Sequence, residues 1–138
     1  MKELTAEEVK NTLEKAKNNG VMYALVGNIG QIELVKSFGL EVYGDFRLNV
    51  TNGESAAKYK EMGVSHLILS PELTLPKARD IGGSVITYGR IPLMITERCF
   101  ISENFGCDRC GKSVLTDRKG EKFPIRREFK HRNIIFNS

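Results

Sequence analysis

Short apolar strands and amphipathic helices alternate along the first two thirds of this chain. Residues 21–26, Val-Met-Tyr-Ala-Leu-Val, form an unbroken apolar run rich in strand-forming side chains, and Gly27 and Asn28 end it. The run lacks polar and apolar alternation, which predicts a strand buried on both faces, as in a parallel sheet. Alternation of such strands with helices restricts the chain to α/β architectures with right-handed crossovers.

The same unit of one strand and one helix recurs along residues 1–96, and the residues after Thr96 do not continue it. Capping boxes at 5–8 and 51–54 predict the starts of two helices. We predict an α/β fold in which residues 1–96 form parallel (β/α) units of a partial TIM-barrel-like sheet. Residues 97–138 would then form a small β-hairpin lobe that binds a metal. Further strands are predicted at 40–49, 66–69, 84–87 and 92–95, and helices at 29–38, 56–62 and up to Ile81.

The number of units is too small for a closed barrel. Four units make about half of a (β/α)8 barrel, which usually takes about 250 residues. Either the chain is a fragment of a longer protein, or a second copy covers its open sheet edges, because exposed strands invite pairing. We therefore expect a homodimer or larger assembly if this chain is stable alone.

All three cysteines lie within the twelve residues 99–110, with a C-x-x-C pair that opens onto Gly111. Thiols at such a turn can face one ion, and one of only two histidines follows about twenty residues later. Zinc held by Cys99, Cys107, Cys110 and His131 is the favoured interpretation, and an iron-sulfur cluster, a redox dithiol or three buried thiols are alternatives.

The positive charge of the chain is concentrated beside the cysteines. Residues 1–96 carry eleven basic and eleven acidic side chains, whereas 97–138 carry ten and six. A basic lobe suits RNA or another anionic partner, although an ordinary solvated surface would look the same. No apolar run of about 18 residues or secretory signal is evident, and clustered cysteines indicate a reducing compartment, so we expect a cytoplasmic protein without a membrane partner.

Polar residues follow each predicted strand, where a (β/α) barrel carries its active face. The strand-end residues are Asn28, Arg47 and Asn49, Ser70, and Tyr88 with Arg90. We interpret Asn28, Arg47, Asn49, Tyr88 and Arg90 as candidates for a substrate pocket, although polar residues also begin ordinary loops.

Known catalytic motifs do not assign a reaction. Residues 106–113 match the P-loop pattern, but polar residues precede them and a hairpin is predicted to follow, so we interpret the match as chance. Neither His-Glu-x-x-His nor Gly-x-Ser-x-Gly occurs. A Cys99 nucleophile with His66 or His131 as base would require that no metal binds, so catalytic residues stay unassigned.

Five segments of the second half resemble the collagenase-like peptidase family U32. They are 88–94 (Tyr-Gly-Arg-Ile-Pro-Leu-Met), 97–99, 107–110, 115–125 and 132–138, within a resemblance that covers roughly residues 20–138. The resemblance implies the later part of a TIM-type barrel that leads into a cysteine cluster. It implies a peptidase of unassigned mechanism, while other members are implicated in hydroxylating RNA bases or the ubiquinone ring and bind iron-sulfur clusters.

The resemblance also assigns roles to particular residues. Cys99, Cys107 and Cys110 match three metal-binding cysteines of the family, and a fourth cysteine would fall at or near His131. That histidine favours zinc over a [4Fe-4S] cluster. Glu97 matches the segment just before the first cysteine and joins the pocket candidates.

Overall fold

The structure is a computed structural model that describes residues 5–107, 113–128 and 132–138. They divide into two compact units, and the division lies between Thr87 and Tyr88 rather than after Thr96, where the sequence placed it. The difference arises because residues 92–96 pair with the C-terminal strand and so belong to the second unit.

The first unit is a three-stranded parallel sheet in the order β1 (Tyr23–Val26), β2 (Glu41–Gly44) and β3 (Val64–Leu67), and its described residues include four helices. The prediction of parallel α/β units is therefore confirmed for these strands, and the described residues show no closed barrel. Two short 3-10 turns, Ile29–Gln31 and Phe46–Leu48, follow the first two strands. The elements are α1 (Ala6–Asn18), β1 (Tyr23–Val26), α2 (Ile32–Ser37), β2 (Glu41–Gly44), α3 (Gly53–Glu61), β3 (Val64–Leu67) and α4 (Leu75–Ile81).

Local capping explains where the helices begin. The predicted box at the start of α1 is present, since Glu8 N donates to Thr5 Oγ1 (3.2 Å) and Thr5 N donates to Glu8 Oε2 (2.8 Å). The second predicted box was wrong, because the N-cap of α3 is Asn52, whose Oδ1 accepts from Ser55 N at 2.8 Å. Asparagine caps a helix better than threonine, which moves the start by one residue.

The core lies on one face of the sheet, against the helices. Val26, Val42 and Val64 point to this face and are at most 3% exposed, together with Ile32 of α2. Gly44 allows tight packing here, because a Cβ on it would lie 2.7 Å from Leu67 Cδ2. The hydrophobic contribution to folding of this unit therefore comes from the helix-facing side.

Two predictions about the strands were wrong. Burial of β1 on both faces is not observed, since Tyr23 and Leu25 are each 53% exposed. The predicted strand at 84–87 forms only one parallel bridge, between Ile68 and Ser84.

The second unit contains a four-stranded antiparallel sheet in the order β4 (Pro92–Thr96), β7 (Arg132–Phe136), β6 (Lys122–Glu128) and β5 (Val114–Thr116). The stretch predicted as a fifth strand after the (β/α) units is β4, and it pairs antiparallel with β7 instead of extending the parallel sheet. The predicted hairpin is confirmed, because Lys119 N and Glu121 N donate to Asp117 Oδ1 at 2.8 and 2.9 Å. The elements are β4 (Pro92–Thr96), α5 (Phe100–Phe105), β5 (Val114–Thr116), β6 (Lys122–Glu128) and β7 (Arg132–Phe136).

None of the helices in the described ranges has the length and apolar character that crossing a bilayer requires.

Candidate functional site

The loops that leave β1 and β2 meet at the carboxyl edge of the parallel sheet. Asp45 N donates to Val26 O at 2.9 Å, which ties the start of the second loop to the end of β1. Ile68 N donates to Gly44 O at 2.8 Å and joins the end of β3 to the same edge. Because these backbone bonds continue the ladder, the residues that follow the strands are held by the sheet itself.

A buried carboxylate orients an arginine at this edge. Asp45 is only 4% exposed, and its Oδ1 accepts from Phe46 N at 2.9 Å while its Oδ2 accepts from Arg47 Nε. The Arg47 side chain is 47% exposed, so solvent screens the ion pair and its contribution to stability is small. The main consequence is positional, because the carboxylate selects one orientation of the guanidinium.

The guanidinium of Arg47 lies against the backbone at the end of β1. A Cβ on Gly27 would be 2.9 Å from Arg47 Nε and 3.0 Å from Cζ, so a larger residue there would push the side chain away. Planar guanidinium groups bind carboxylates and phosphates in a fork geometry. The edge therefore presents an oriented cation beside the loop that begins at Gly27.

The other predicted strand-end residues have local structural roles. Asn28 caps the following 3-10 turn, with its Oδ1 accepting from Gly30 N at 2.9 Å. Asn49 is exposed and adopts the left-handed conformation (φ 52°), which asparagine tolerates better than most residues. Ser70 is buried, and its Oγ accepts from Glu72 N at 3.5 Å. Of this group, Arg47 has the side chain best suited to recognise an anion.

The remaining pocket candidates lie in the second unit. Tyr88 is 97% exposed and Arg90 is also exposed, and both precede β4. Glu97 forms an ion pair with Arg132, with 2.8 Å between Oε2 and Nε. The predicted pocket residues are thus distributed over two units, and the structure groups only Asn28, Arg47 and Asn49 at one sheet edge.

The structure describes two of the four predicted metal ligands. Cys99 is 6% exposed at the N-cap of α5, and Cys107 is exposed just beyond the end of that helix. Cys110 and His131 lie outside the described residues. Within the ranges that are described, three or more cysteine, histidine or acidic side chains do not form a group that could hold a metal.

Comparison with known protein families shows to which family the chain belongs. The model of peptidase family U32 matches residues 1–118, well over half of the sequence. The chain belongs to peptidase family U32. Searches of curated proteins and of solved structures found no match. The family match includes the parallel unit with Arg47 and all three cysteines, and it ends before His131.

A serine and histidine pair on the parallel sheet bears on the peptidase label of family U32. His66 Nε2 lies 2.8 Å from Ser84 Oγ, within the distance at which a base activates a nucleophile. Hydrolytic triads also orient the histidine with a third polar group. No described carboxylate bonds to His66, whose ring packs instead near Tyr43 (5.3 Å between centroids). The pair is therefore incomplete as a catalytic triad.

Sequence reasoning missed Asp45 and the pairing of His66 with Ser84. The position of Asp45 directly after β2, two residues before Arg47, was a usable signal, since aspartate is a preferred N-cap. The pairing of His66 with Ser84 depends on the bridge between Ile68 and Ser84, and no local sequence pattern predicted that bridge.

Proposed function

We propose that this chain is the carboxylate-binding and metal-bearing part of a U32 hydrolase that acts on peptides, with Arg47 as the residue that recognises a peptide carboxylate. The observation that carries the proposal is the guanidinium of Arg47, oriented by buried Asp45 against Gly27 at the carboxyl edge of a parallel sheet. Ligands of open α/β sheets bind outside this edge. The family label, peptidase family U32, supports a peptide as the substrate class.

Arg47 is a binding residue in this proposal, and the nucleophile stays unassigned. Because the chain supplies an oriented cation but no complete triad among its described residues, we expect it to bind peptides and to show no hydrolysis alone. Any cleavage would then need catalytic groups from outside the described residues.

Substitution of Arg47 by alanine should weaken binding of a peptide with a free terminal carboxylate about tenfold or more, since a hydrogen bond to a charged group contributes roughly 1.5–3 kcal/mol. Isothermal titration calorimetry measures the affinities of the free-acid peptide and of its C-terminal amide for wild type and for R47A. The comparison isolates the contact between Arg47 and the terminal carboxylate. If the carboxylate is the partner, amidation weakens binding to wild type and leaves binding to R47A unchanged.

The matched control is Arg79→Ala, which removes an exposed arginine that also pairs with a neighbouring aspartate, Asp80. It should leave both affinities unchanged. Equal loss on amidation in wild type and R47A would contradict the assignment of Arg47.

We also propose that Cys99, Cys107, Cys110 and His131 hold zinc. Three thiols and an imidazole are a donor set that zinc accepts, and the [4Fe-4S] cluster is the alternative for the same cysteines. The buried Asn133 Oδ1 has no hydrogen-bond partner among the described residues, but an amide oxygen is a harder ligand than this set uses, so we do not include it. Zinc with four protein ligands would stabilise the second unit and leave no position for a reacting water.

RNA binding is the second candidate function, because exposed basic side chains share one hairpin. Arg118 and Lys119 lie at its turn, and Lys122 and Arg126 lie on β6. Such a ribbon can follow a phosphate backbone without reading sequence.

The RNA candidate predicts a strong salt dependence. The logarithm of affinity for single-stranded RNA should fall linearly with the logarithm of salt concentration, with a slope near −0.7 for each phosphate contacted. Lys122→Glu with Arg126→Glu should make the slope shallower by about one to two units, because two contacts are lost. Lys15→Glu with Lys17→Glu on α1 is the control with the same change in charge. Equal effects of the two pairs in a filter-binding titration would mean attraction by net charge alone.

A further inference from the structure

The outer edge of β1 is open in the part of the chain that the structure describes. The sheet order places β2 between β1 and β3, so within the described ranges β1 has a strand neighbour on one side only. The edge beyond β3 differs, because Ser84 N donates to Leu67 O at 2.9 Å and Ser84 O accepts from Leu69 N at 2.8 Å. An open strand edge is a template on which an extended chain can pair.

The direction of the backbone groups at this edge follows from the pairing of β1 with β2. Val26 O accepts from Asp45 N at 2.9 Å, and Met22 O accepts in the same way from the first residue of β2. In a parallel ladder, alternate residues direct both of their backbone groups to the same neighbour. Tyr23 and Leu25 therefore direct their N–H and C=O groups toward the open edge, where an added strand can bond to them.

Solvent reaches both this edge and the arginine that lies beyond it. The side chains of Tyr23 and Leu25 are each 53% exposed. The side chain of Arg47 is 47% exposed, and its guanidinium occupies the place that a side chain on Gly27 would take. Because Gly27 directly follows the last residue of β1, the cation lies at the carboxyl end of the open edge.

We propose that an extended peptide binds as an added strand parallel to β1, and that its terminal carboxylate reaches Arg47. The inference rests on the proposed carboxylate contact of Arg47 and adds how the rest of the peptide is held. Charge decides the direction of the added strand. A parallel strand ends beside Gly27, whereas an antiparallel strand would end near Tyr23, about 13 Å away along β1.

The exposed side chains of β1 set the sequence preference of this site. Backbone bonds to a sheet edge provide affinity, and alternate side chains of the added strand provide specificity. Residues that lie opposite each other in a parallel ladder point to the same face. The peptide residues beside Tyr23 and Leu25 should therefore be apolar, and the residues between them direct their N–H groups to β1. The ligand is thus a peptide of alternating apolar and polar residues with a free terminal carboxylate.

The test is isothermal titration calorimetry of the peptide acetyl-Ser-Val-Ser-Val-Ser-Val, with a free carboxylate, against the full chain. N-methylation of the serines removes the donors that face β1 and should weaken binding about tenfold or more. N-methylation of the valines adds the same number of methyl groups on the other side of the strand and should leave the affinity unchanged. This comparison does not alter the protein, so the folding of a variant does not affect it.

Leu25→Pro tests the same edge from the protein. Proline removes the N–H of residue 25, which faces the open edge, and removes no bond to β2. Leu25→Ala is the matched control, because it loses the same side chain and keeps the N–H. L25P should bind the parent peptide about tenfold more weakly than L25A, with circular dichroism showing that both variants are folded.

Equal weakening by the two methylation patterns would overturn the added strand. So would a dimer of the chain that does not bind the peptide, since a second copy would then close the edge. Loss of affinity on amidation, without a difference between the methylated peptides, keeps the carboxylate contact and removes the added strand. The reverse result removes the contact with Arg47 and keeps the added strand, and a parent peptide that does not bind overturns both.

Discussion

A chain in which Cys107 and Cys110 are both replaced by serine is expected to lose about one equivalent of zinc and the cooperative unfolding of its C-terminal unit. Serine hydroxyls do not replace thiolates as zinc ligands at neutral pH. Structural zinc contributes apparent binding energies of about 10–16 kcal/mol in small zinc-binding peptides, and much of this is folding energy. The measurements are metal content by mass spectrometry and thermal unfolding of the two units.

The small core of the second unit is the reason to expect a large effect. Among the described residues of this unit, the buried apolar side chains are Cys99, Ile101, Ile125 and Ile135, with Phe123 packed against them. All three residues of β5 are exposed, so this strand adds little to that core. Cores of this size usually need a metal or disulfides to hold them.

The matched control is Thr116→Ser, a conservative change at an exposed position of β5 outside the donor set. It should keep both the metal and the unfolding transition. Unchanged zinc content in the double cysteine variant would contradict the assignment of Cys107 and Cys110 as zinc ligands. Iron and sulfide with visible absorbance in the wild type would instead assign the three cysteines to a cluster.

Ile32→Ala is expected to lower the free energy of unfolding of the first unit by about 2–5 kcal/mol. Ile32 is 0% exposed at the start of α2, where it packs in the core shared by the helices and the sheet. Deleting its three outer carbons removes buried area and leaves a cavity that rigid neighbours do not fill. Since this sheet has a core on one side only, the loss is a large part of the stability of the unit.

The control is the same substitution at an exposed isoleucine. Ile29, three residues earlier on the 3-10 turn, is 53% exposed. Ile29→Ala should change stability by at most about 0.5 kcal/mol. Urea unfolding followed by circular dichroism compares the two, and equal destabilisation would mean that Ile32 is not in the core.

Local interactions made several elements predictable. The box between Thr5 and Glu8 and the turn at Asp117 both join residues at most four positions apart. Such contacts depend on residue type and spacing, which can be read directly. The candidate site was predictable only in part. The position of Arg47 after a strand could be read from the sequence, but its buried partner Asp45 was not recognised.

Which strands pair with one another was less predictable from the sequence than which segments form strands. The run at 92–96 has the composition of a buried parallel strand, yet β4 pairs antiparallel with β7 and is flanked by a bond from Ile91 N to Asn137 Oδ1 (2.8 Å). Those residues are 46 positions apart. Apolar composition indicates that a segment forms a strand, but it does not indicate which other strand pairs with it.

The alternation of helices and strands, the cap of α1, the concentration of basic charge beside three cysteines and the membership of family U32 could all be read from the sequence. The orientation of Arg47 by Asp45 against Gly27, and the exposure of Tyr23 and Leu25 away from the core, became visible only in the folded chain. These two groups of features depend on interactions of different sequence range. Propensity and capping act within a few residues, whereas burial and ion-pair geometry depend on strands brought together from distant positions.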